Sequence, residues 1–202
     1  LKGVRQLRPG EVNAFDAPDR MQAVRWFDPA ALGPPDFQGT AAEADDELEA
    51  LLTDAVRLQQ VADVPVGAFL SGGVDSSLVT ALADNPKSFT IGFAEAAYAE
   101  QQHAEAIARH LGTAHSTKLV SAEDVRALIP RVVAIDDEPF ADSSILPTLM
   151  LSQETRGAVT VALSGDGGDE LFGGYRRHLF AHRHWPRLSQ VPRGLRAAAG
   201  AA

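Results

Sequence analysis

The chain has 202 residues, 45% apolar and 22% charged, with a formal net charge of −9 and no cysteine. Such a composition is that of a globular protein with room for one substantial core, and its acidic balance argues against a nucleic-acid or anionic-membrane surface as main partner. The absence of cysteine excludes disulfides, thiolate zinc sites and a cysteine nucleophile within these residues.

No apolar run approaches the roughly 20 residues that span a bilayer. No secretory leader is visible, so a cytoplasmic location is expected. The first residue is Leu1 rather than Met, so the natural start is expected to lie upstream.

Residues 1–28 read as short strands and turns. Arg8-Pro9-Gly10 and Ala17-Pro18-Asp19 are turn signals around Glu11-Val12-Asn13-Ala14-Phe15 and Met21-Gln22-Ala23-Val24-Arg25-Trp26-Phe27. Residues 29–39 carry Pro29, Gly33, Pro34, Pro35 and Gly39 and are expected to be a linker. Thr40-Ala41-Ala42-Glu43 has the spacing of a capping box. Leu48, Leu51, Leu52, Ala55, Val56 and Leu58 then recur at helical spacing through about Gln60, which predicts a helix that covers a sheet.

Val64-Pro65-Val66-Gly67-Ala68-Phe69 is short and apolar enough for one buried strand, and Leu78-Val79-Thr80-Ala81-Leu82-Ala83 reads as the opening turns of a helix. Between them lies Leu70-Ser71-Gly72-Gly73-Val74-Asp75-Ser76-Ser77. A Gly-Gly turn between strand and helix suits an anion. Glycines admit close backbone approach, and the helix start offers unpaired N–H groups and a positive dipole end. Ser71, Ser76 and Ser77 add hydroxyl donors. Asp75 fits beside a phosphate when a divalent cation stands between them, because Mg²⁺ is usually held by one or two carboxylates plus phosphate oxygens. The competing reading is an ordinary serine-capped turn.

Other nucleotide signatures fail. The lysines are Lys2, Lys87 and Lys118, and none follows a glycine; G-x-G-x-x-G breaks at Glu170, and G-x-S-x-G is missing. At Ser71-Gly72-Gly73-Val74-Asp75-Ser76 the chain instead resembles the PP-loop ATP pyrophosphatases, whose signature is S-G-G-x-D-S. The resemblance implies cleavage of ATP between its α and β phosphates, with adenylylation of an acyl or carbonyl oxygen.

Ser88-Phe89-Thr90-Ile91-Gly92-Phe93 predicts a second buried strand. A helix follows over 100–111, stopped by Gly112, then a third strand over 113–120. Ser121-Ala122-Glu123-Asp124 caps a helix carrying Val125, Leu128, Ile129, Val132 and Val133. A further helix is predicted over about 144–156 with Pro147 in its first turn, and a fourth strand over 159–163. Strand–helix alternation at this spacing predicts an α/β fold with a doubly wound parallel sheet in three layers. Ligands then belong at the carboxyl ends of the strands: after Leu70, after Ile91 and after Leu163.

The last of those loops is Ser164-Gly165-Asp166-Gly167-Gly168-Asp169-Glu170-Leu171-Phe172-Gly173-Gly174-Tyr175. So many glycines lose backbone entropy that packing does not recover. As a second half-site, Asp169 with Asp75 would bracket Mg²⁺–pyrophosphate, while backbone groups at Ser164 and Gly165 receive adenine and ribose. A flexible acidic turn is the plain alternative.

This loop, with Asp137-Glu138-Pro139-Phe140-Ala141-Asp142-Ser143-Ser144 before it, resembles the synthetase half of glutamine-hydrolysing asparagine synthetases. Gly3-Val4-Arg5-Gln6-Leu7-Arg8-Pro9-Gly10 resembles the last strands of their glutaminase half. The resemblance implies an adenine nucleotide alpha-hydrolase-like fold and a ligase of asparagine biosynthesis. ATP would adenylylate the side-chain carboxylate of aspartate, and ammonia, from glutamine in the full enzyme, would displace AMP. Leu70, Ile91, Ser164 and Gly165 match nucleotide-binding positions, and Ser71, Gly72, Gly73, Asp75 and Ser76 match the pyrophosphate loop. Asp75 and Asp169 match the metal-associated acids. Asp166 stands where several members have a Glu assigned to the ammonia step. Asp142, Ser143 and Ser144 match a substrate-side motif.

The implied organisation is the tail of a glutaminase domain over 1–28, a linker over 29–39 and a synthetase domain over 40–202, continued further in the parent chain. The chain alone is expected to be inactive. Expected cofactors are ATP and Mg²⁺; partners are aspartate, ammonia or glutamine and a second copy in a homodimer, with no nucleic acid or membrane. Two alternatives remain: another carbon–nitrogen ligase on this scaffold, such as a β-lactam-forming synthetase, or a non-catalytic nucleotide-binding module. After Glu170 no acid occurs, whereas Arg176, Arg177, Arg183, Arg187, Arg193 and Arg196 follow. His178, His182 and His184 lie in that Arg-rich helix without the carboxylate of H-E-x-x-H, so a partner-facing helix is the better reading than a zinc site.

Overall fold

The computed structural model describes residues 5–17, 20–28, 31–33, 37–93, 100–135, 142–194 and 196. The expected turn residues 18 and 19, the linker prolines 29, 34 and 35, residues 3 and 4, and the motif residues 137–141 lie outside them. The chain divides into two compact units, residues 1–46 and 47–202. No described helix is long and apolar enough to cross a membrane.

In the first unit, β1 (Glu11–Ala17) pairs antiparallel with β2 (Arg20–Arg25), with a register shift between Phe15 and Ala17. Helix α1 (Ala41–Gln59) starts at the expected box. The Glu43 carboxylate accepts from the Thr40 N–H at 2.7 Å and its hydroxyl at 2.9 Å, and the Glu43 N–H donates to Thr40 Oγ1 at 3.3 Å.

The second unit runs β3 (Val66–Phe69), α2 (Val74–Leu82), β4 (Lys87–Phe93), α3 (Glu100–Leu111), β5 (Ala114–Val120), α4 (Ala122–Ile135), α5 (Ile145–Thr155), β6 (Val161–Leu163), α6 (Gly168–Phe172) and α7 (Arg176–Leu188). The sheet order is β5-β4-β3-β6, and every pair is parallel. Along β4, Ser88, Phe89, Thr90 and Gly92 are all buried, the near-continuous burial of a strand covered on both faces.

The chain steps one way from β3 to β5 through α2 and α3, then returns past β4 to β6 through α4 and α5. Right-handed crossovers in opposite directions place the two helix pairs on opposite faces. Leu70 packs with Ala104 and Ala108 under α3 on one side, while Val120, Leu128 and Met150 gather Ile91, Phe93, Leu146 and Leu149 on the other. The expected doubly wound, three-layer sheet is what the chain forms.

Three details differ from the sequence reading. Helix α2 begins at Val74, ahead of the apolar run, so Asp75, Ser76 and Ser77 sit in its first turn. An acid is favourable there because it faces the positive end of the helix dipole. The glycine-rich stretch after β6 contains the short helix α6, with Gly167 and Gly173 in left-handed conformation at its two ends. Within the second unit, α1 buries only Val56, and Leu52 and Val56 face Leu78, Val79 and Leu82 of α2 across a cavity of about 140 Å³. Leu51 and Leu58 of α1 stay exposed.

Candidate active site

Strand order reverses at β3, and there a cleft of about 500 Å³ opens at the carboxyl ends of the strands. Leu70, Ser71, Gly73, Asp75, Ser76, Ile91, Ser164, Gly165, Asp166 and Asp169 line it. Residues separated by almost a hundred positions are thus gathered from the ends of β3, β4 and β6. Among the residues matched to the nucleotide, pyrophosphate and metal positions, Gly72 alone does not line the cleft. It sits at φ +86°, and a methyl group there would stand 2.8 Å from the Ala104 nitrogen, so it serves the packing of the turn on α3.

Leu70 is clamped to β4 at both polar groups. Its N–H donates to Phe89 O at 2.9 Å, and its carbonyl accepts from the Thr90 hydroxyl. The turn beyond is knitted by its own hydroxyls. Ser71 Oγ and Ser76 Oγ are 2.9 Å apart, the Ser71 N–H donates to Ser76 Oγ at 3.1 Å, and the Gly73 N–H donates to Ser71 Oγ at 3.3 Å. Ser77 Oγ donates to Gly73 O at 2.6 Å, so this hydroxyl holds the turn rather than facing the cleft. Gly73 caps α2 in extended conformation, and no side chain caps the helix. Its opening N–H groups are ready donors to an anion.

The loop after β6 closes on Asp75. A methyl group on Gly165 would lie 2.6 Å from the Ser76 nitrogen and 3.0 Å from Asp75 Cβ. Within the same loop, Ser164 Oγ donates to Asp166 Oδ2 at 3.0 Å. The cleft receives Asp75, Glu100, Asp166 and Asp169, and no Lys or Arg among the described residues lines it. Four carboxylates lining one cleft, with no basic side chain beside them among the described residues, favour a cation there. The donor set is all oxygen, which fits Mg²⁺. No group of three or more His, Cys, Asp or Glu converges into a metal cage among the described residues. Asp75 and Asp169 therefore suit an ion that takes further ligands from phosphate and water.

Sequence reasoning missed part of the wall. Phe69, Thr90, Phe93, Glu100, Pro147, Thr148 and Leu151 also line the cleft. Pro147, Thr148 and Leu151 share one face of α5 at i, i+1 and i+4, a spacing that was visible in the sequence. Asp142 instead closes a turn just ahead of α5, which has no side-chain cap: its Oδ1 accepts from the Ser144 N–H at 2.8 Å, and this bond holds its carboxyl below the usual range. Neither Asp142 nor Ser144 lines the cleft, nor does Ser143. On α7, His178 meets the Tyr175 ring edge-on at 5.5 Å, and His184 meets the Phe180 ring at 4.3 Å with the two planes tilted by 41°.

The model of the asparagine synthase family matches residues 47–202. A protein of Mycobacterium tuberculosis, provisionally named a glutamine-hydrolysing asparagine synthetase, is 41% identical over 180 residues, which are 86% of this chain and 28% of that protein. Glutamine-hydrolysing asparagine synthetase 1 of Bacillus subtilis is 39% identical over 133 residues, 64% of this chain and 21% of its own length. Among solved structures, an NMN synthetase from Francisella tularensis is similar with a TM-score of 0.45 at 18% identity, over 68% of this chain and 59% of that one. The chain thus spans between a fifth and a third of the length of the curated relatives it matches.

Proposed function

Because the chain belongs to the asparagine synthase family, we propose that its cleft binds ATP and activates the side-chain carboxylate of aspartate for attack by ammonia. One observation carries this reading. Asp75, Asp169 and the uncapped start of α2 share a cleft lined by acids and, among the described residues, by no basic side chain. Such a cleft repels a bare polyphosphate and accepts one that arrives with a divalent cation.

Mg²⁺, when bound, supplies neutralisation of the phosphate charge. Asp75 and Asp169 hold it, and the opening N–H groups of α2 hold the pyrophosphate portion. Leu70, Ile91, Ser164 and Gly165 receive the nucleoside. A carboxylate oxygen of aspartate attacks the α-phosphorus, and pyrophosphate departs. Nitrogen of ammonia then attacks the acyl carbon, AMP leaves, and Asp166 takes the proton that the nitrogen sheds. The products are asparagine, AMP and pyrophosphate.

The whole protein is then a cytoplasmic ligase in which residues 1–28 close a glutaminase part, 29–39 link it and 40–202 belong to the synthetase part. Glutamine supplies the ammonia, and the enzyme works as a homodimer. Exchange of labelled pyrophosphate into ATP by the full-length protein, with and without aspartate, tests the reading. Aspartate-dependent exchange is expected. Exchange that ignores aspartate but responds to another carboxylic acid would reassign the acceptor, and no exchange with any acid would remove the adenylylation step.

A further inference from the structure

The turn that follows Asp169 is closed by two ties. The Gly174 N–H donates to the Asp169 carbonyl at 3.0 Å, and the Tyr175 hydroxyl donates to Glu170 Oε1 at 2.6 Å. Between the tied pairs the chain reverses through Gly173 at φ +70°. This closure presses Gly174 against Asp169: a methyl group on Gly174 would collide with Oδ1 and stand 3.0 Å from Cγ. The position of the Asp169 carboxylate is thus coupled to the closure of a six-residue ring that ends at Tyr175.

The side-chain tie is itself supported. The Arg177 guanidinium lies 4.0 Å over the Tyr175 ring, and the His178 ring meets the same ring edge-on. The Tyr175 hydroxyl above all, with Arg177 and His178 adding to it, holds the Glu170 carboxyl below the usual carboxylate range. Neither Glu170 nor Tyr175 lines the cleft, whereas Asp169 does.

We infer that Tyr175 and Glu170 are a positioning pair that sets the Asp169 carboxylate in the cleft, and so governs how tightly the site takes ATP with Mg²⁺. The inference rests on the reading of the cleft given above. A pair that merely finished α6 would contribute to stability and leave the metal dependence of binding untouched.

The test titrates the full-length protein calorimetrically with ATP, in saturating Mg²⁺ and again in EDTA. The variants are Y175F, E170Q, D169A and the double variant D169A/Y175F. Y175F removes the hydroxyl but keeps the ring under Arg177. It is expected to weaken binding in Mg²⁺ roughly five-fold, as the loss of one charge-assisted bond acting through a neighbour would, and to leave binding in EDTA unchanged. E170Q keeps an acceptor oxygen but loses the charge, so it should weaken binding in Mg²⁺ in the same direction as Y175F and by less. Y175F should add nothing to D169A, since both act through one carboxylate. If D169A matters and Y175F changes only the melting temperature, or weakens binding equally in EDTA, the positioning role is overturned alone. If D169A leaves the Mg²⁺ dependence intact, the reading of the cleft falls and the pair's role with it.

Discussion

The carboxylate of Asp75 rests on the backbone of Gly168: a methyl group on that glycine would stand 2.5 Å from Cγ and 2.8 Å from both carboxylate oxygens. Asp75 comes from the first turn of α2 and Gly168 from the start of α6. Two loops from neighbouring strands β3 and β6 therefore fix one another at the acid proposed to hold the metal.

Gly168→Ala should consequently act on the site more than on the fold. Binding of ATP in Mg²⁺ is expected to weaken at least about ten-fold, because Asp75 is short and buttressed and must leave its position. Gly167→Ala is the control. Nothing lies within 4 Å of a methyl group there, but φ is +93°, so about 1 kcal/mol or more of stability should be lost with little change in binding. Calorimetry and thermal melts of the two variants separate the effects, and equal loss of binding in both would contradict the contact argument.

Asp75→Ala and Asp169→Ala should each abolish pyrophosphate exchange, and the double variant should be hardly worse than either single, since two acids on one ion act as a unit. Asp166→Ala should retain more exchange and lose amide formation. Its oxygen bonds within its own loop, to Ser164, and its proposed part begins only when ammonia attacks. Loss of exchange in Asp166→Ala equal to that in Asp75→Ala would move Asp166 to the first stage.

Much of this was legible in the residues. Alternating apolar runs gave the four parallel strands, and Gly-Gly with Asp75, followed by the acid–glycine stretch at 164–175, gave two sides of the cleft. Short-range rules also located the capping boxes: at the second, the Asp124 carboxylate accepts from the Ser121 N–H at 2.8 Å and its hydroxyl at 2.7 Å. The α5 wall was not assigned, because Pro147, Thr148 and Leu151 look like part of any largely apolar helix until the fold brings them to the cleft that Ile91 also lines. Nor could the start of α2 be read from hydrophobic period, since polar residues at 75–77 interrupt it and only the Gly73 cap declares it. The packing of Gly72 on α3 is a long-range contact that spacing does not encode.

The two faces of the sheet should respond differently to truncation. Leu128→Ala, on the α4 side and away from the cleft, should lower stability by about 2–4 kcal/mol and leave ATP affinity in the folded protein near that of the parent. Leu70 is 1% exposed and also lines the cleft, so Leu70→Ala should lose comparable stability and affinity together. Urea melts paired with calorimetry check this. Full affinity in Leu70→Ala would show that the side chain is core alone.

Acid should weaken the fold through His115. Burial pushes its imidazole below the ordinary value of 6.5, an effect that Glu105 only partly opposes. Ser88 Oγ lies 2.8 Å from Nδ1, and Nε2 is buried without a hydrogen-bond partner. A base with a depressed folded pKa binds fewer protons folded than unfolded, so its contribution is complete above 6.5 and lost as pH falls through the folded value. Carboxylates titrate mostly below about 5. The urea midpoint should therefore drop between pH 7.5 and 5.5 in the parent and drop less in His115→Gln. An identical drop in both would place the sensitive group elsewhere.

The most direct measurement is the fate of ATP in a complete reaction of the full-length protein with Mg²⁺, aspartate and ammonia, followed by phosphorus NMR. The account predicts AMP and pyrophosphate, one of each for every asparagine formed. ADP and inorganic phosphate in that ratio would mean that the bond broken lies beyond the β phosphate, and would contradict the assignment of this cleft.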